Sequence, residues 1–211
     1  MSPIEQVCIQ ATEKYVYQEL KNEPSGHDWW HIHRVRNLAS AISQNEKTQT
    51  IDLFICEMAA LLHDIADEKL NSSAESGEKK AENWLEKNQV ESAKANVIMD
   101  IILHLSFKGG TNKKSMTSIE GKVVQDADRL DAIGAIGIAR TMAYSGANGQ
   151  LIHNPALIPR EDITIEEYRS ANGSAIMHFY EKLLKIKEGM NTEYGKKLAE
   201  SRHTYMEHYL E

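Results

Sequence analysis

The sequence predicts an all-α fold in a single domain. No window of the 211 residues shows sustained alternation of apolar and polar residues with a period of two, which is the pattern of a half-buried strand. Apolar residues instead recur three and four positions apart in successive segments, and several segments begin with a residue that typically caps a helix. A hydrophobic fraction of 41% and only four prolines also fit a globular protein rich in helix.

The first two helices are predicted from their capping residues. Ser2–Glu5 combines a capping serine, a proline at the first helical position and a glutamate at the third, so a helix is expected from there to about Asn22. After a short Pro-Ser-Gly loop, Asp28 is expected to cap a second helix that carries His31 in its first turn and ends near Ser43. The residues expected to face inward in the first helix are Val7, Ala11, Tyr15 and Leu20.

The sequence predicts three helices in the middle of the chain, and they differ in how apolar they are. The third, at about 51–64, is almost entirely apolar and ends abruptly in a histidine and carboxylates. The fourth follows the capping pair Ser72 and Glu75, and its many charges fit a solvated outer face. The fifth, at about 91–106, has His104 among its apolar residues. The residues expected to face inward in the fourth helix are Ala81, Trp84 and Leu85.

In the last part of the chain, the sequence predicts helices before and after one long connection. A sixth helix is expected to begin near Ser118 and to run on through 132–139, where glycines would let another helix approach closely. The stretch 145–171 contains glycines and prolines and is long for a passive connection, which is typical of a lid or a binding loop. A helix from about Thr164 to residue 189 and a last helix capped by Thr192 are expected to complete the fold.

Length, charge and cysteine content limit the class of protein. A chain of this length can bury one sizeable core, and residues 1–211 are expected to form one domain whose C-terminal helices occupy 172–211. A net charge of -7 argues against general nucleic-acid binding, so an anionic substrate must be held locally. Neither a secretory signal nor a membrane span is recognisable, and we expect a cytoplasmic protein with Cys8 and Cys56 as reduced core thiols.

Three groups of polar residues interrupt the predicted apolar helices. Polar side chains in such surroundings need partners, and imidazole nitrogens together with carboxylate oxygens from separate helices can meet that need by holding a divalent cation. For any one pair taken alone, a solvated helix end is the simpler interpretation. The groups are His27, His31 and His33 around the start of the second helix, His63, Asp64 and Asp67 at the end of the third, and Asp126, Asp128 and Asp131 in the sixth.

The ordered set of His31, then His63-Asp64, then Asp128, on separate helices, resembles the H…HD…D signature of the HD-domain metal-dependent phosphohydrolases. The likeness covers about residues 20–140. It implies an HD-type helical bundle in which this region is the core of a metal site, with these four side chains as ligands. The flanking motifs that are similar to those of the family are His31-x-x-Arg34-Val35 and Ala127-Asp128-x-Leu130.

The resemblance also implies an activity, the hydrolysis of small phosphorylated metabolites. Nucleotides are the foremost candidates, as nucleoside or deoxynucleoside phosphates or through triphosphate pyrophosphohydrolysis; no oligomeric state is indicated. A mixed nitrogen and oxygen ligand set suits Mn²⁺ first, then Fe²⁺, Co²⁺ and Zn²⁺, with Ni²⁺ and Mg²⁺ as further candidates. Asp67, expected one helical turn beyond His63, is the candidate to orient or deprotonate the attacking water, or to protonate the leaving group. The alternative for Asp67 is an exposed helix-end acid.

Further residues are candidates for substrate binding or for contacts behind the ligands. His104 is a candidate for a phosphate contact or a second-metal ligand, and equally for a satisfied core histidine. His27, Asp126 and Asp131 are candidates for contacts that support the ligands, and Asp126 or Asp131 is also the alternative to Asp128 as the fourth ligand. The basic candidates for binding substrate phosphates are Arg34, Lys69, Lys108 and Arg129, each with solvated surface as the simpler alternative.

Two other functions remain as alternatives to hydrolysis. Some relatives of the resembled family hold two irons and activate dioxygen, which requires extra histidines after the HD pair. Only His104 is well placed for that here, so a di-iron oxygenase is less favoured. A catalytically silent nucleotide-binding sensor is the third alternative, and the complete ligand set together with Asp67 disfavours it.

Overall fold

The described part of the chain is all-α, as the sequence predicts. The structure is a computed structural model, and it describes residues 1–23, 26–47, 49–67, 70–71, 73–105, 116–160 and 173–211. These residues contain no strand, although Leu151 and Ser174 form an isolated bridge. Their helices are α1 (Pro3–Leu20), α2 (Trp29–Asn45), α3 (Leu53–Leu62), α4 (Ala74–Lys87), α5 (Ser92–Leu105), α6 (Ile119–Asp131), α7 (Gly134–Ala147), α8 (Ala175–Glu181) and α9 (Glu193–Leu210). Short 3-10 turns lie at Asp64–Ala66, Leu183–Lys185 and Lys187–Gly189.

Helix α3 lies at the centre of the bundle. Every residue from Phe54 to Leu62 is buried, and the helix packs against α1, α2, α5 and α6. Asp52 begins the helix by accepting hydrogen bonds from the backbone N–H groups of Phe54 and Ile55. Because α3 is surrounded on all these sides, the histidine and aspartate that follow it are also buried rather than placed at a solvated helix end.

Capping residues located the starts of several helices correctly. Ser2 forms the predicted capping box with Glu5, and Asp28 accepts a hydrogen bond of 2.8 Å from the backbone N–H of His31. Thr192 caps α9 in the same way. The cap of α4 is wrong by one residue: Ser73 accepts from the N–H of Ser76, while Ser72 lies outside the described residues. A capping side chain is short, so its one productive position depends on local backbone geometry.

The buried face of α1 differs from the prediction by about one position. Val7 is 65% exposed instead of facing inward. Thr12 turns into the core, where its hydroxyl donates to the Cys8 carbonyl and accepts from the indole N–H of Trp84 at 2.8 Å. Apolar periodicity cannot recognise a polar residue whose hydroxyl finds its partners inside the core. The buried residues of α1 are Cys8, Ile9, Thr12, Val16 and Leu20.

The predicted sixth helix is broken into two. Helix α6 ends at Asp131, and α7 begins at Gly134, where the backbone has a φ of +75°. This left-handed conformation favours glycine and redirects the chain. The predicted close approach of a second helix does occur, but at the start of α7: a Cβ on Gly134 would lie 3.1 Å from the Cβ of Arg202 in α9.

The connection before α8 lies partly outside the described residues, and so does the predicted start of a helix at Thr164. In the described part of the stretch 145–171, residues 148–160 follow α7 without a helix, and a role as a lid stays a prediction. The helix predicted to reach residue 189 is wrong, because the chain breaks at Lys182, whose φ of -134° is not helical, and continues as two 3-10 turns.

The core is one contiguous cluster of buried side chains drawn from α1 to α6, α8 and α9. Cys8 and Cys56 are free and belong to this cluster, as predicted. Burial raises the pKa of the Cys56 thiol to about 12, so the thiol is neutral at physiological pH. None of the described helices is both long enough and apolar enough to cross a membrane.

Candidate metal centre

The four predicted ligands lie together where α2, α3 and α6 meet. His31 is in the first turn of α2, His63 directly follows α3, Asp64 opens the 3-10 turn, and Asp128 lies in the last turn of α6. The Nε2 atoms of His31 and His63 are 3.3 Å apart. Oxygens of Asp64 lie 3.5 Å and 3.4 Å from these two nitrogens, and Oδ1 of Asp128 lies 3.5 Å and 4.0 Å from them. Ligand atoms of one ion are about 3.0–3.5 Å apart when each is about 2.0–2.2 Å from it, so the spacing fits a cation site.

The hydrogen bonds of the other ring nitrogens turn both Nε2 atoms toward this point. Nδ1 of His63 lies 2.9 Å from the Ala60 carbonyl oxygen, which can only accept, so Nδ1 donates. Nδ1 of His31 lies 2.7 Å from Oδ2 of Asp131, a carboxylate, and donates in the same way. In neutral rings, two Nε2 lone pairs therefore face each other beside two carboxylates. Such second contacts are the usual way of orienting metal-binding histidines.

The electrostatics of the cluster favour a positive charge at its centre. Burial opposes the charged form of His63, but the Asp64 and Asp128 carboxylates outweigh it and raise the pKa of His63. Burial likewise opposes the charged form of Asp64, but the imidazoles of His63, His27 and His31 hold its pKa well below the usual range. A divalent cation supplies the same positive charge and competes with the proton for these groups. The donor set therefore fits a bound divalent ion.

Asp131 supports the cluster from behind His31. Its carboxylate is buried and accepts bonds of 2.6 Å and 3.0 Å from Nε and Nη2 of Arg34. It also accepts a bond of 2.8 Å from Arg140. Burial opposes the charge of Asp131, but His31 and the two arginines hold its pKa well below the usual range. Because Asp131 remains a carboxylate, it can only accept, and this determines which nitrogen of His31 carries the hydrogen.

The comparisons with known proteins agree with this geometry. The family model of the HD domain matches residues 29–133, which include His31, His63-Asp64 and Asp128. The protein YpgQ of Bacillus subtilis is 41% identical over 193 residues, which are 91% of this chain and 85% of YpgQ. The chain belongs to the HD-domain family. We call the cluster of His31, His63, Asp64 and Asp128, which lies within the matched segment, the HD site.

Solved structures extend the likeness over nearly the whole chain. An HD-superfamily hydrolase from Bacillus thuringiensis is 45% identical, with a TM-score of 0.77 over 98% of this chain and 94% of the other. A protein from Lactobacillus plantarum is 38% identical, with a TM-score of 0.85 over 100% and 95% of the two chains. A structure of YpgQ in complex with ADP has a TM-score of 0.75, with 37% identity over 96% and 93%. The chain is therefore similar to HD-superfamily hydrolases along its length and not only at the motif.

Two further residues lie next to the HD site. Nδ1 of His27 is 3.1 Å from Oδ2 of Asp64, in the supporting position that the sequence suggested. The prediction that Asp67 lies one α-helical turn beyond His63 is wrong, because α3 ends at Leu62 and the chain tightens into a 3-10 turn. Asp67 nevertheless ends that turn close enough to raise the pKa of His63. It remains the candidate for proton transfer.

Asp126 points away from the HD site and supports the start of α9 instead. Both of its carboxylate oxygens accept hydrogen bonds from Asn191, and Oδ2 also accepts from the backbone and hydroxyl of Thr192. The suggestion that Asp126 supports the ligands is therefore wrong, because a residue two positions from Asp128 lies on another face of the same helix. Of the three acids in α6, Asp128 alone has an oxygen within 4.0 Å of both Nε2 atoms in the described contacts.

The other predicted substrate contacts are mostly engaged within the chain. Arg34 is held by Asp131, and Arg129 donates to the Gly189 carbonyl. Nδ1 of His104 lies 2.7 Å from the Asp100 carbonyl oxygen. Their roles in substrate binding remain predictions. Two more predicted contacts, Lys69 and Lys108, lie outside the described residues.

Arg140 is a residue of the site that sequence reasoning missed. It lies in α7, 109 positions after His31, among small and apolar residues that gave no signal of a functional contact. Its guanidinium nevertheless reaches Asp131 and the region before α2. Only the folded arrangement of α6 and α7 brings it there.

Proposed function

We propose that this HD-domain protein is a metal-dependent phosphohydrolase that acts on nucleotides. The observation that carries the proposal is the cluster of two imidazole Nε2 atoms, 3.3 Å apart, with carboxylate oxygens of Asp64 and Asp128 within 4.0 Å of both. We propose His31, His63, Asp64 and Asp128 as the ligands and Mn²⁺ as the preferred ion, since a mixed nitrogen and oxygen set suits it. The nucleotide is supported by YpgQ, a relative solved with ADP bound.

The open side of the site indicates how a substrate would enter. The side chains of His31, Asp64 and His63 are nearly inaccessible to solvent, whereas that of Asp128 is 33% exposed. His27 is partly exposed as well. A phosphate group would therefore reach the ligands past Asp128, the most exposed of the four side chains.

The proposed chemistry divides between the ion and the side chains. When bound, a divalent ion acts as a Lewis acid that withdraws electron density from a phosphoryl oxygen and makes a water molecule acidic. In the hydrolysis, the water oxygen forms a bond to phosphorus, the bond to the leaving oxygen breaks, and the leaving group takes up a proton. Asp67 is the residue that we propose to accept the proton of the attacking water. His27 holds the Asp64 carboxylate in place through Nδ1.

The negative net charge of the chain means that an anionic substrate must be bound by groups at the site itself. At -7, the protein does not attract polyphosphates over a distance, so affinity must come from the ion and from donors at the mouth of the site. The described arginines nearest the ligands are already bound to Asp131. The proposed contacts to the phosphates beyond the one that is attacked stay those predicted from the sequence, which are Arg34, Lys69, His104, Lys108 and Arg129.

A panel of nucleoside mono-, di- and triphosphates, assayed with several divalent ions and with phosphate and pyrophosphate measured separately, tests this function. We expect Mn²⁺-dependent release from at least one nucleotide, and loss of that activity in His31→Ala. The matched control is His33→Gln, because His33 is two positions away on the same helix and contacts Asn37 instead of the ligands. This variant should keep the parental rate.

Measurements of nucleotide binding, dioxygen consumption and iron content, added to this panel, separate the alternatives. Tight nucleotide binding without any release across the panel would favour the silent sensor and contradict hydrolysis. Consumption of dioxygen with two bound irons per chain would favour the oxygenase. Release of phosphate from other metabolites, but never from nucleotides, would keep the hydrolase and overturn the substrate class.

A further inference from the structure

Arg140 joins three groups that belong to different parts of the site. Its Nη1 donates to Oδ2 of Asp131 at 2.8 Å and lies 3.1 Å from Nδ1 of His31. Its Nη2 donates to the carbonyl oxygen of Gly26 at 2.6 Å. Arg140 and Gly26 both lie outside residues 29–133, the segment that the HD-domain model matches. The contact between Arg140 and Gly26 is therefore made by parts of the chain that lie outside the segment matched by the family model.

The first contact acts on His31 through Asp131. Oδ2 of Asp131 accepts from Arg140 and lies 2.7 Å from Nδ1 of His31. Since a guanidinium has no acceptor, Nη1 of Arg140 cannot itself bond to a protonated Nδ1, and the two donors share the carboxylate. Arg34 holds the same carboxylate from another direction. Together the two arginines orient Asp131, and Asp131 orients the ring of His31 so that Nε2 faces the ligand cluster.

The second contact acts on the turn that precedes α2. Gly26 has a φ of +94°, a left-handed conformation that favours glycine, and its carbonyl oxygen accepts from Arg140. The next residue, His27, donates its backbone N–H to Glu23 and places Nδ1 3.1 Å from Asp64. Arg140 thus holds the peptide directly before His27. In the described contacts, Arg34 makes no corresponding bond to this turn.

We propose that Arg140 is a positioning residue for the cation site: it orients His31 through Asp131 and His27 through the Gly26 carbonyl. This inference rests on the proposed metal-dependent function, because it concerns the same ligands. A guanidinium suits the task because its planar fork reaches two acceptors in different directions at once, which the single ammonium of lysine does not. Both imidazoles are then oriented before an ion binds, so that binding costs less conformational entropy.

The test compares the affinity for Mn²⁺ of the metal-free parent protein with that of Arg140→Met and Arg140→Lys, by calorimetric titration. Methionine keeps much of the length but has no donor, and lysine keeps the charge but not the fork. Supporting contacts of metal ligands are typically worth about 10- to 100-fold in affinity, so we expect a loss in that range for Arg140→Met and a smaller loss for Arg140→Lys. An affinity within about twofold of the parent in both variants would overturn the proposal.

Arg36→Met is the matched control. Arg36 is also partly buried, 21% exposed against 26% for Arg140, and it pairs with Glu13 and Glu57 instead of residues of the site. Its loss should lower the melting temperature without changing the affinity for Mn²⁺. If Arg36→Met weakens Mn²⁺ binding as much as Arg140→Met does, the effect reports general destabilisation and the positioning role is wrong.

A second measurement does not depend on metal or turnover. Long-range ¹H–¹⁵N spectra of the histidine rings in the metal-free protein report which nitrogen carries the hydrogen. We expect the His31 ring of the parent to be protonated at Nδ1 and its signals to shift or broaden in Arg140→Lys, a variant that retains the charge and is expected to fold. Unchanged His31 and His27 signals would contradict the proposal. A parent protein that shows these signals but binds no Mn²⁺ would instead contradict the proposed function.

Discussion

The Nε2 atoms of His31 and His63 lie 3.3 Å apart, although they come from different helices and are 32 positions apart in the sequence. Each ring donates through its other nitrogen, to Asp131 and to the Ala60 carbonyl respectively. Two lone pairs so arranged, with carboxylates of Asp64 and Asp128 beside them, are stable when a positive charge lies between them. This relationship links the fold to the proposed function.

Asp128→Asn should abolish metal binding, because it removes the negative charge of the most exposed proposed ligand. Asp126→Asn is its matched control on the same helix. It should leave the affinity for Mn²⁺ within about twofold of the parent, since Asp126 accepts hydrogen bonds from Asn191 and Thr192 instead of facing the ligands. The control should instead lower the free energy of unfolding by about 1–3 kcal/mol, as expected when buried donors lose a charged acceptor. Urea unfolding and metal titration distinguish the two outcomes, and the reverse pattern would exchange the roles of the two acids.

Asp67→Asn should separate proton transfer from metal binding. The amide keeps the size of the side chain but cannot accept a proton at neutral pH. General acid–base groups typically contribute about 10²- to 10⁴-fold in rate, so we expect kcat to fall at least about a hundredfold, with KM and metal affinity changed little. Steady-state kinetics on the best nucleotide provide the measurement. A kcat within a few fold of the parent would mean that Asp67 has no role in proton transfer. Loss of the metal would mean that Asp67 is a ligand.

Asp131→Asn should weaken metal binding although it leaves all four proposed ligands unchanged in the sequence. An amide presents N–H groups where the carboxylate accepted, so it cannot satisfy both arginines and Nδ1 of His31. We expect the affinity for Mn²⁺ to fall by about 10- to 100-fold. Calorimetric titration of the folded variant measures this. Parental affinity would mean that the orientation of His31 does not depend on the charge of Asp131.

The pH dependence of stability is expected to include a contribution from Glu5 at the start of α1. Lys94 lies 2.6 Å from Glu5 and is the main cause that lowers the pKa of Glu5 to about 2. A lowered folded-state pKa stabilises the protein above the unfolded value of 4.5, and the stabilisation is lost as the pH falls from there to about 2. The difference in unfolding free energy between the parent and Glu5→Gln should therefore shrink from pH 7 to pH 3. A constant difference would assign the effect to the lost hydrogen bonds alone.

The proposed ligands could be named from the sequence because local signals drew attention to them and the ordered set resembles the HD-domain signature. His31 comes three residues after the capping Asp28, and His63-Asp64 ends the most apolar helix of the chain. Asp128 required the family resemblance as well, because three acids share α6 and only the packing of that helix against α2 decides which one faces the histidines. Asp126, two positions away, points to α9 instead.

The parts that sequence reasoning missed depend on contacts between distant segments. Arg140 reaches Asp131 only because the chain turns between α6 and α7, and that turn was predicted as continuous helix. The inward face of α1 was misplaced because Thr12 finds hydrogen-bond partners in the core. Local patterns carry information about capping and burial, whereas these features are decided by which helices become neighbours.

The position of the bound ion decides whether the four side chains at the HD site hold a metal. Crystals grown with saturating Mn²⁺ and measured at a wavelength where manganese scatters anomalously would locate it. We predict one anomalous peak about 2.0–2.3 Å from Nε2 of His31, Nε2 of His63 and one carboxylate oxygen each of Asp64 and Asp128. A peak elsewhere in the protein, or none at this junction of α2, α3 and α6, would mean that these four side chains are not the ligands.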